Sequence, residues 1–132
     1  MRKAECGMRS AECGIKMKYD NLKDRTKKFA LRVIRLVEAL PKGKTSDVIG
    51  RQLLRSGTSV AANYRSACRA RSTADFVAKM GVVEEEADET IFWMELLIEA
   101  HVVDQEKLKA LMTEADEILA IVVSSIKTAR KK

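Results

Sequence analysis

An all-α fold, an up-down-up-down antiparallel four-helix bundle, is predicted by three features of this 132-residue chain. Apolar residues recur at three-to-four spacing over four separate stretches, each roughly twenty residues or longer. Short linkers join these stretches, so consecutive helices should lie as antiparallel neighbours. One Pro and six Gly are too few for an all-β chain built on many tight turns.

The first helix is expected to open with Asp20 or Asn21 as its cap. It places Leu22, Phe29, Val33, Leu36 and Leu40 inward, with Ala30, Ile34 and Val37 alongside. Pro41 and Gly43 end it, and Thr45, Ser46 or Asp47 can cap the second. That second helix runs to the region of Ala70, with Ile49, Leu53, Val60, Tyr64 and Ala67 on one face. Gly57, within Ser56-Gly57-Thr58-Ser59, weakens its middle, since Gly costs about 1 kcal/mol relative to Ala in a helix interior. Ser72 and Thr73 cap a third helix, which carries Phe76, Met80, Val83, Ala87, Met94 and Ile98 inward. Asp104 caps a fourth, with Leu108, Leu111, Ala115, Ile118, Val122 and Ile126. Residues 19–130 thus form one bundle domain. Residues 1–18 are expected to be a poorly ordered extension. They hold a seven-residue repeat at 2–8 and 9–15, too short and too broken by Gly7 and Gly14 for a coiled coil.

With 46% hydrophobic and 33% charged residues, both a packed core and a heavily charged surface are expected. No uncharged run approaches the roughly 18–20 residues of a membrane span, and no secretory leader pattern opens the chain. A cytoplasmic protein is expected. The three cysteines, Cys6, Cys13 and Cys68, are odd in number and fit reduced thiols. Six residues separate the first two, unlike the two-to-four spacing of common zinc sites. Cys68 reads as a small residue in a helix, buried or partly so.

Charge is segregated along the chain. The total is +6, yet residues 21–44 carry net +6, residues 45–71 net +4, and residues 72–103 net −7. Counting 100° per residue, Arg51, Arg55, Arg65 and Arg69 form one stripe about 27 Å long, opposite the core of the second helix. Thr58 and Ala62, both small, lie between them. On the third helix Glu85, Asp88, Glu89 and Glu99 face outward, accompanied by Phe92, Val82 and Trp93, with Ala78 and Gly81 nearby. An arginine stripe and an acidic, partly aromatic stripe can pair between subunits; because the two patches differ, that contact is heterologous and generates a ring if it closes. The same charges could instead be simply solvated, or pair within the chain along the flanks of the second and third helices.

The parts for catalysis are missing. A carboxylate-bridged di-metal bundle needs inward acids and two Glu-x-x-His motifs, whereas the acids of 84–89 mostly face outward and His101 is the single histidine. Nothing places Cys68 beside His101, which is expected on the core-facing rim at the end of the third helix. No glycine-rich phosphate loop or nucleophile elbow occurs. The expectation is no catalytic residue, no metal, no cofactor and no small-molecule substrate.

The stretch from Ile49-Gly-Arg-Gln-Leu-Leu-Arg-Ser-Gly-Thr-Ser-Val-Ala-Ala to Asn63 resembles the second helix of the four helix bundle protein family named after the 23S ribosomal RNA intervening sequences. The resemblance continues through Arg69-Ala-Arg-Ser-Thr-Ala-Asp-Phe76 and Glu86-Ala-Asp-Glu-Thr-Ile-Phe-Trp-Met-Glu95, and covers residues 19–130. Many members have Asn-Ile-x-Glu-Gly where this chain has Asn63-Tyr64-Arg65-Ser66-Ala67, so any role tied to that Glu does not carry over. The resemblance implies a non-enzymatic homo-oligomer, with a pentameric ring as one form. Through the related accessory variability determinant of diversity-generating retroelements, it also implies RNA or DNA as a partner of the basic surface.

Together these readings give a non-catalytic oligomeric scaffold that binds nucleic acid without base specificity. Lys23, Lys27, Lys28, Arg32 and Arg35 of the first helix are the candidate phosphate contacts. Arg51, Arg55, Arg65 and Arg69, with Glu85, Asp88, Glu89, Phe92 and Trp93, are the candidate subunit interface. The competing reading is a protein-interaction module whose charge segregation serves self-assembly alone.

Overall fold

The structure, a computed structural model, describes residues 13–131, with side chains from residue 21 onward. Four helices follow one another: α1 (Cys13–Glu38), α2 (Lys44–Ala67), α3 (Thr73–Glu99) and α4 (Gln105–Arg130). Connections of five residues, 39–43, 68–72 and 100–104, reverse the chain each time. The expected four-helix bundle results, and no strand occurs among the described residues. None of these helices is long and apolar enough to cross a membrane.

The periodic apolar residues fill the core. Leu22, Phe29 and Val33 of α1 meet Leu53, Val60 and Tyr64 of α2, Met80, Val83 and Met94 of α3, and Leu108, Ile118 and Val122 of α4. Leu36, Leu40, Ile49 and Ile98 pack at its edge, half-buried. Ile34, expected beside the core, is exposed, as are Leu31 and Val48. Five Ser and Thr residues are also enclosed, Thr26, Ser46, Ser56, Thr90 and Ser125. The Thr90 hydroxyl lies 2.9 Å from that of Ser56 across the α2–α3 contact and 2.7 Å from the Glu86 carbonyl, while Ser56 donates to the Leu53 carbonyl. Each buried hydroxyl of that pair is therefore satisfied.

Helix ends depart from expectation in several places. α1 begins at Cys13, so Asp20 and Asn21 lie within it and do not cap it. Residues 15–19, Ile-Lys-Met-Lys-Tyr, contain no Gly or Pro and let the helix run on. The rest of the expected extension, residues 1–12 with Cys6, lies outside the described residues. α2 starts at Lys44 with Gly43 before it, ahead of the expected caps Thr45, Ser46 and Asp47, which fall in its first turn. It closes at Ala67, three residues short of Ala70, because the Arg69 and Ala70 N–H groups turn back onto the carbonyls of Ser66 and Ala67. Ser72 caps α3 as expected, its hydroxyl accepting from the Asp75 N–H at 3.0 Å. Asp104 precedes α4 without a side-chain cap bond.

Charged faces and the candidate nucleic-acid interface

On α1, the basic residues fan around the side away from the core. Lys27, Lys28 and Arg35 are exposed, and Lys23 and Arg32 half-buried. Lys28 pairs with Asp24 one turn earlier at 3.0 Å, a solvent-exposed contact of little energetic weight. Lys27, Arg32 and Arg35 make no ion pair among the described residues, which leaves their charge directed to solvent. Exposed Leu31 and Ile34 lie among them.

Arg25 was not singled out by the sequence pattern. It sits on the flank of α1 that faces α4, where its Nε and Nη2 donate to the two carboxylate oxygens of Glu114 at 2.9 and 2.6 Å. Nη2 also donates to Glu117 at 2.9 Å. These bonds, Glu114's foremost, raise the guanidinium pKa above its usual value despite partial desolvation. The signal for Arg25 was present as the i, i+3 pair Glu114 and Glu117, but only the packing shows which helix that pair meets.

The arginines of the predicted stripe are all exposed, as counting predicted, although Arg69 lies two residues beyond the end of α2 rather than within it. Arg55, however, reaches the flank of α3 within the same chain. Its Nη1 lies 3.2 Å from Glu86, and its Nη2 pairs with Glu89. Glu89 also accepts a hydrogen bond from the Trp93 indole N–H at 3.0 Å. The indole first, and Arg55 second, hold the Glu89 carboxyl below the usual carboxylate range. Arg55 and Glu89, expected to seek partners on a neighbouring subunit, thus meet each other. The physical reason is reach: a position pointing away from the core on one helix still borders the flank of the next. Arg51 donates weakly to the Asp47 carbonyl at 3.4 Å, while Arg65 and Arg69 make no ion pair among the described residues. On α3, Glu85 and Asp88 are exposed, Phe92 is 48% and Val82 39% exposed, and the Phe92 ring meets Trp93 edge-on at 5.0 Å.

Cys68 is buried at the C-terminal end of α2, while His101 follows the C-terminus of α3. Because consecutive helices are antiparallel, a helix length of about 40 Å separates these ends. His101 is exposed, not on the core rim, because it stands in the left-handed backbone position that turns the chain off α3 (φ 61°). No group of three His, Cys, Asp or Glu residues that could hold a metal occurs among the described residues.

The molecule is therefore a four-helix bundle distinguished by its charged faces. The chain belongs to the 23S rRNA-intervening sequence protein family, whose model matches residues 21–124. It is similar to the crystal structure of a protein of unknown function from the S23 ribosomal protein family of Bacteroides thetaiotaomicron VPI-5482. The two are 37% identical with a TM-score of 0.78, over 83% of this chain and 98% of that one. Among curated proteins no match is found.

Proposed function

We propose that this chain is a non-catalytic, cytoplasmic homo-oligomeric scaffold whose basic surface binds nucleic acid, RNA in particular, without base specificity. One observation carries the reading: residues 21–71, which supply most of α1 and all of α2, hold thirteen basic groups against three acids. Lys27, Arg32 and Arg35 lie exposed or half-exposed there and make no ion pair among the described residues. Such a face attracts phosphates and releases counterions, and without an aromatic platform it favours no base. The name of the family, 23S rRNA-intervening sequence protein, is in keeping with RNA as the partner.

The test is fluorescence anisotropy with a single-stranded RNA across salt concentrations. A steep fall of affinity with salt, flattened by Lys27→Gln together with Arg35→Gln, is the expected result. Absence of binding at low salt refutes the proposal.

A second reading, a self-assembling interaction module, is favoured by the exposed Phe92 and Val82 among acids and by Arg65 and Arg69, which make no ion pair among the described residues. Light scattering after size exclusion separates the two. Arg65→Glu with Arg69→Glu should break the oligomer and leave RNA affinity on α1 if those arginines serve assembly. Loss of RNA binding with the oligomer intact would instead put RNA on α2.

A further inference from the structure

Where α1 gives way to α2, the two helices leave a cleft of about 340 Å³. Leu40 and Pro41 supply its aliphatic wall, and Lys42, Ser46, Asp47 and Arg51 its polar groups. The first hydrogen bond of α2 runs from the Asp47 N–H to the Gly43 carbonyl at 3.0 Å. The N–H groups of Lys44, Thr45 and Ser46 therefore point out of the helix, at the positive end of its dipole, and no side chain caps them.

Ser46 supplies an independent sign of a ligand. It is only 8% exposed and lines the cleft, yet its hydroxyl has no hydrogen-bond partner among the described residues. An enclosed hydroxyl without a partner costs free energy that an acceptor in the cleft would recover. Lys42 lines the cleft and is exposed, and the contact of Arg51 Nε with the Asp47 carbonyl keeps that guanidinium beside it. Asp47 is the one acid on the wall. Two cations and a helix N-terminus outweigh it, so the cleft suits an anion and rejects a metal cation.

We infer that this cleft is a phosphate-binding site that takes one phosphodiester of a nucleic-acid strand lying along α1, an assignment that rests on the nucleic-acid reading above. The amide and hydroxyl of Ser46 grip that phosphate from one side, and Lys42 and Arg51 close on it from the other. The strand then runs on along the flank of α1 toward Lys27. The remaining α1 contacts are surface charge alone, so this is the point at which the strand is held in place.

The test uses the full chain, its amide spectrum followed by NMR during titration with inorganic phosphate and, separately, with a uridine oligonucleotide bearing a 5′-hydroxyl. Both should shift the Lys44, Thr45 and Ser46 amides. Ser46→Ala should weaken RNA binding by about three- to tenfold, as expected for one hydrogen bond to a charged group. Ser46→Asp should weaken it more than tenfold while keeping the fold, because an acid in a first helical turn is favourable for the helix. Asp47→Asn should tighten binding, and Arg51→Gln should lower the salt slope by about one. RNA binding that leaves these amides in place and survives Ser46→Asp overturns the site but spares the basic-face reading. Shifts with inorganic phosphate alone also overturn the assignment, in favour of a small-anion site. No RNA binding at low salt removes the nucleic-acid reading itself.

Discussion

At His101 the backbone adopts φ 61°, a left-handed conformation that costs an L side chain about 1–2 kcal/mol. The position is imposed by the way α3 ends. The His101 N–H bonds to the Ile98 carbonyl at 3.0 Å and the Val102 N–H to the Leu97 carbonyl at 2.9 Å, the paired bonds of a helix terminus that favours glycine. His101→Gly should therefore raise stability by about 1 kcal/mol, or a melting temperature about 3–5 °C higher for a domain of this size. An unchanged or lower melting temperature would mean that the imidazole contributes a contact worth as much as the strain. Glu89 ties stability to pH. Its carboxyl titrates below its ordinary value of 4.5 in the fold, so in mild acid the unfolded chain binds more protons than the folded one. The contribution is complete above about pH 4.5 and is lost as pH falls further. Urea unfolding should find Glu89→Gln less stable than the parent at pH 7, with the gap narrowing in acid. A gap that persists undiminished through acid would locate the loss in packing rather than charge.

Among the helices, two glycines of similar appearance in the sequence have opposite roles. A Cβ on Gly57 of α2 would stand 2.8 Å from Val33 Cγ1 and 3.1 Å from Val33 Cβ, so this glycine marks a close approach of α1 and α2. Val33 is β-branched and cannot rotate away. Overpacking costs typically 1–3 kcal/mol against a helix-propensity gain of about 1, so Gly57→Ala should destabilise the protein. Gly81 of α3 has nothing within 4 Å of such a Cβ, and Gly81→Ala should stabilise by about 1 kcal/mol. Denaturant midpoints moving in the same direction for both would contradict this assignment. Gly57 also marks the boundary of what the sequence makes legible. Core faces are local, since the spacing of Phe76, Met80, Val83 and Ala87 places them on one side of α3 whatever the neighbours do. Whether a glycine is a weakness or a close approach depends on the residue opposite. The pairing of Arg55 with Glu86 and Glu89 and the burial of Ser46 in a cleft depend likewise on which flank lies alongside. α1 ran past Asp20 because a capping residue stops a helix only where the preceding chain has reason to turn.

Across the whole molecule, packing is uneven. Among the described residues α2 and α3 share the most extensive contact, while α1 and α4, which must close the bundle, share the least of the neighbouring pairs. The closing seam is held instead by Arg25, whose guanidinium grips Glu114 through two hydrogen bonds and Glu117 through a third. Arg25 and Glu114 are 24% and 20% exposed at their side chains, enough enclosure for the paired bonds to outweigh an ordinary surface ion pair; Glu117, at 58%, adds less. Arg25→Met keeps the aliphatic stem and removes the clamp, and should cost about 1–2 kcal/mol. Glu114→Gln should follow it closely and Glu117→Gln should fall well short. The distribution of that loss is the sharper prediction. Local opening draws on the least packed part of a structure, so amide hydrogen exchange in the parent should be slowest in α2 and α3 and faster in α1. Arg25→Met should speed exchange along α1 while leaving the middle of α2 and α3 close to the parent rate at equal global stability. Uniform acceleration across all four helices would mean that the bundle opens as one unit and that the clamp merely adds to its total stability. Selective opening of α1 would instead make the helix that carries Lys27, Arg32 and Arg35 the most easily displaced part of the bundle, and RNA binding along it should then slow its exchange.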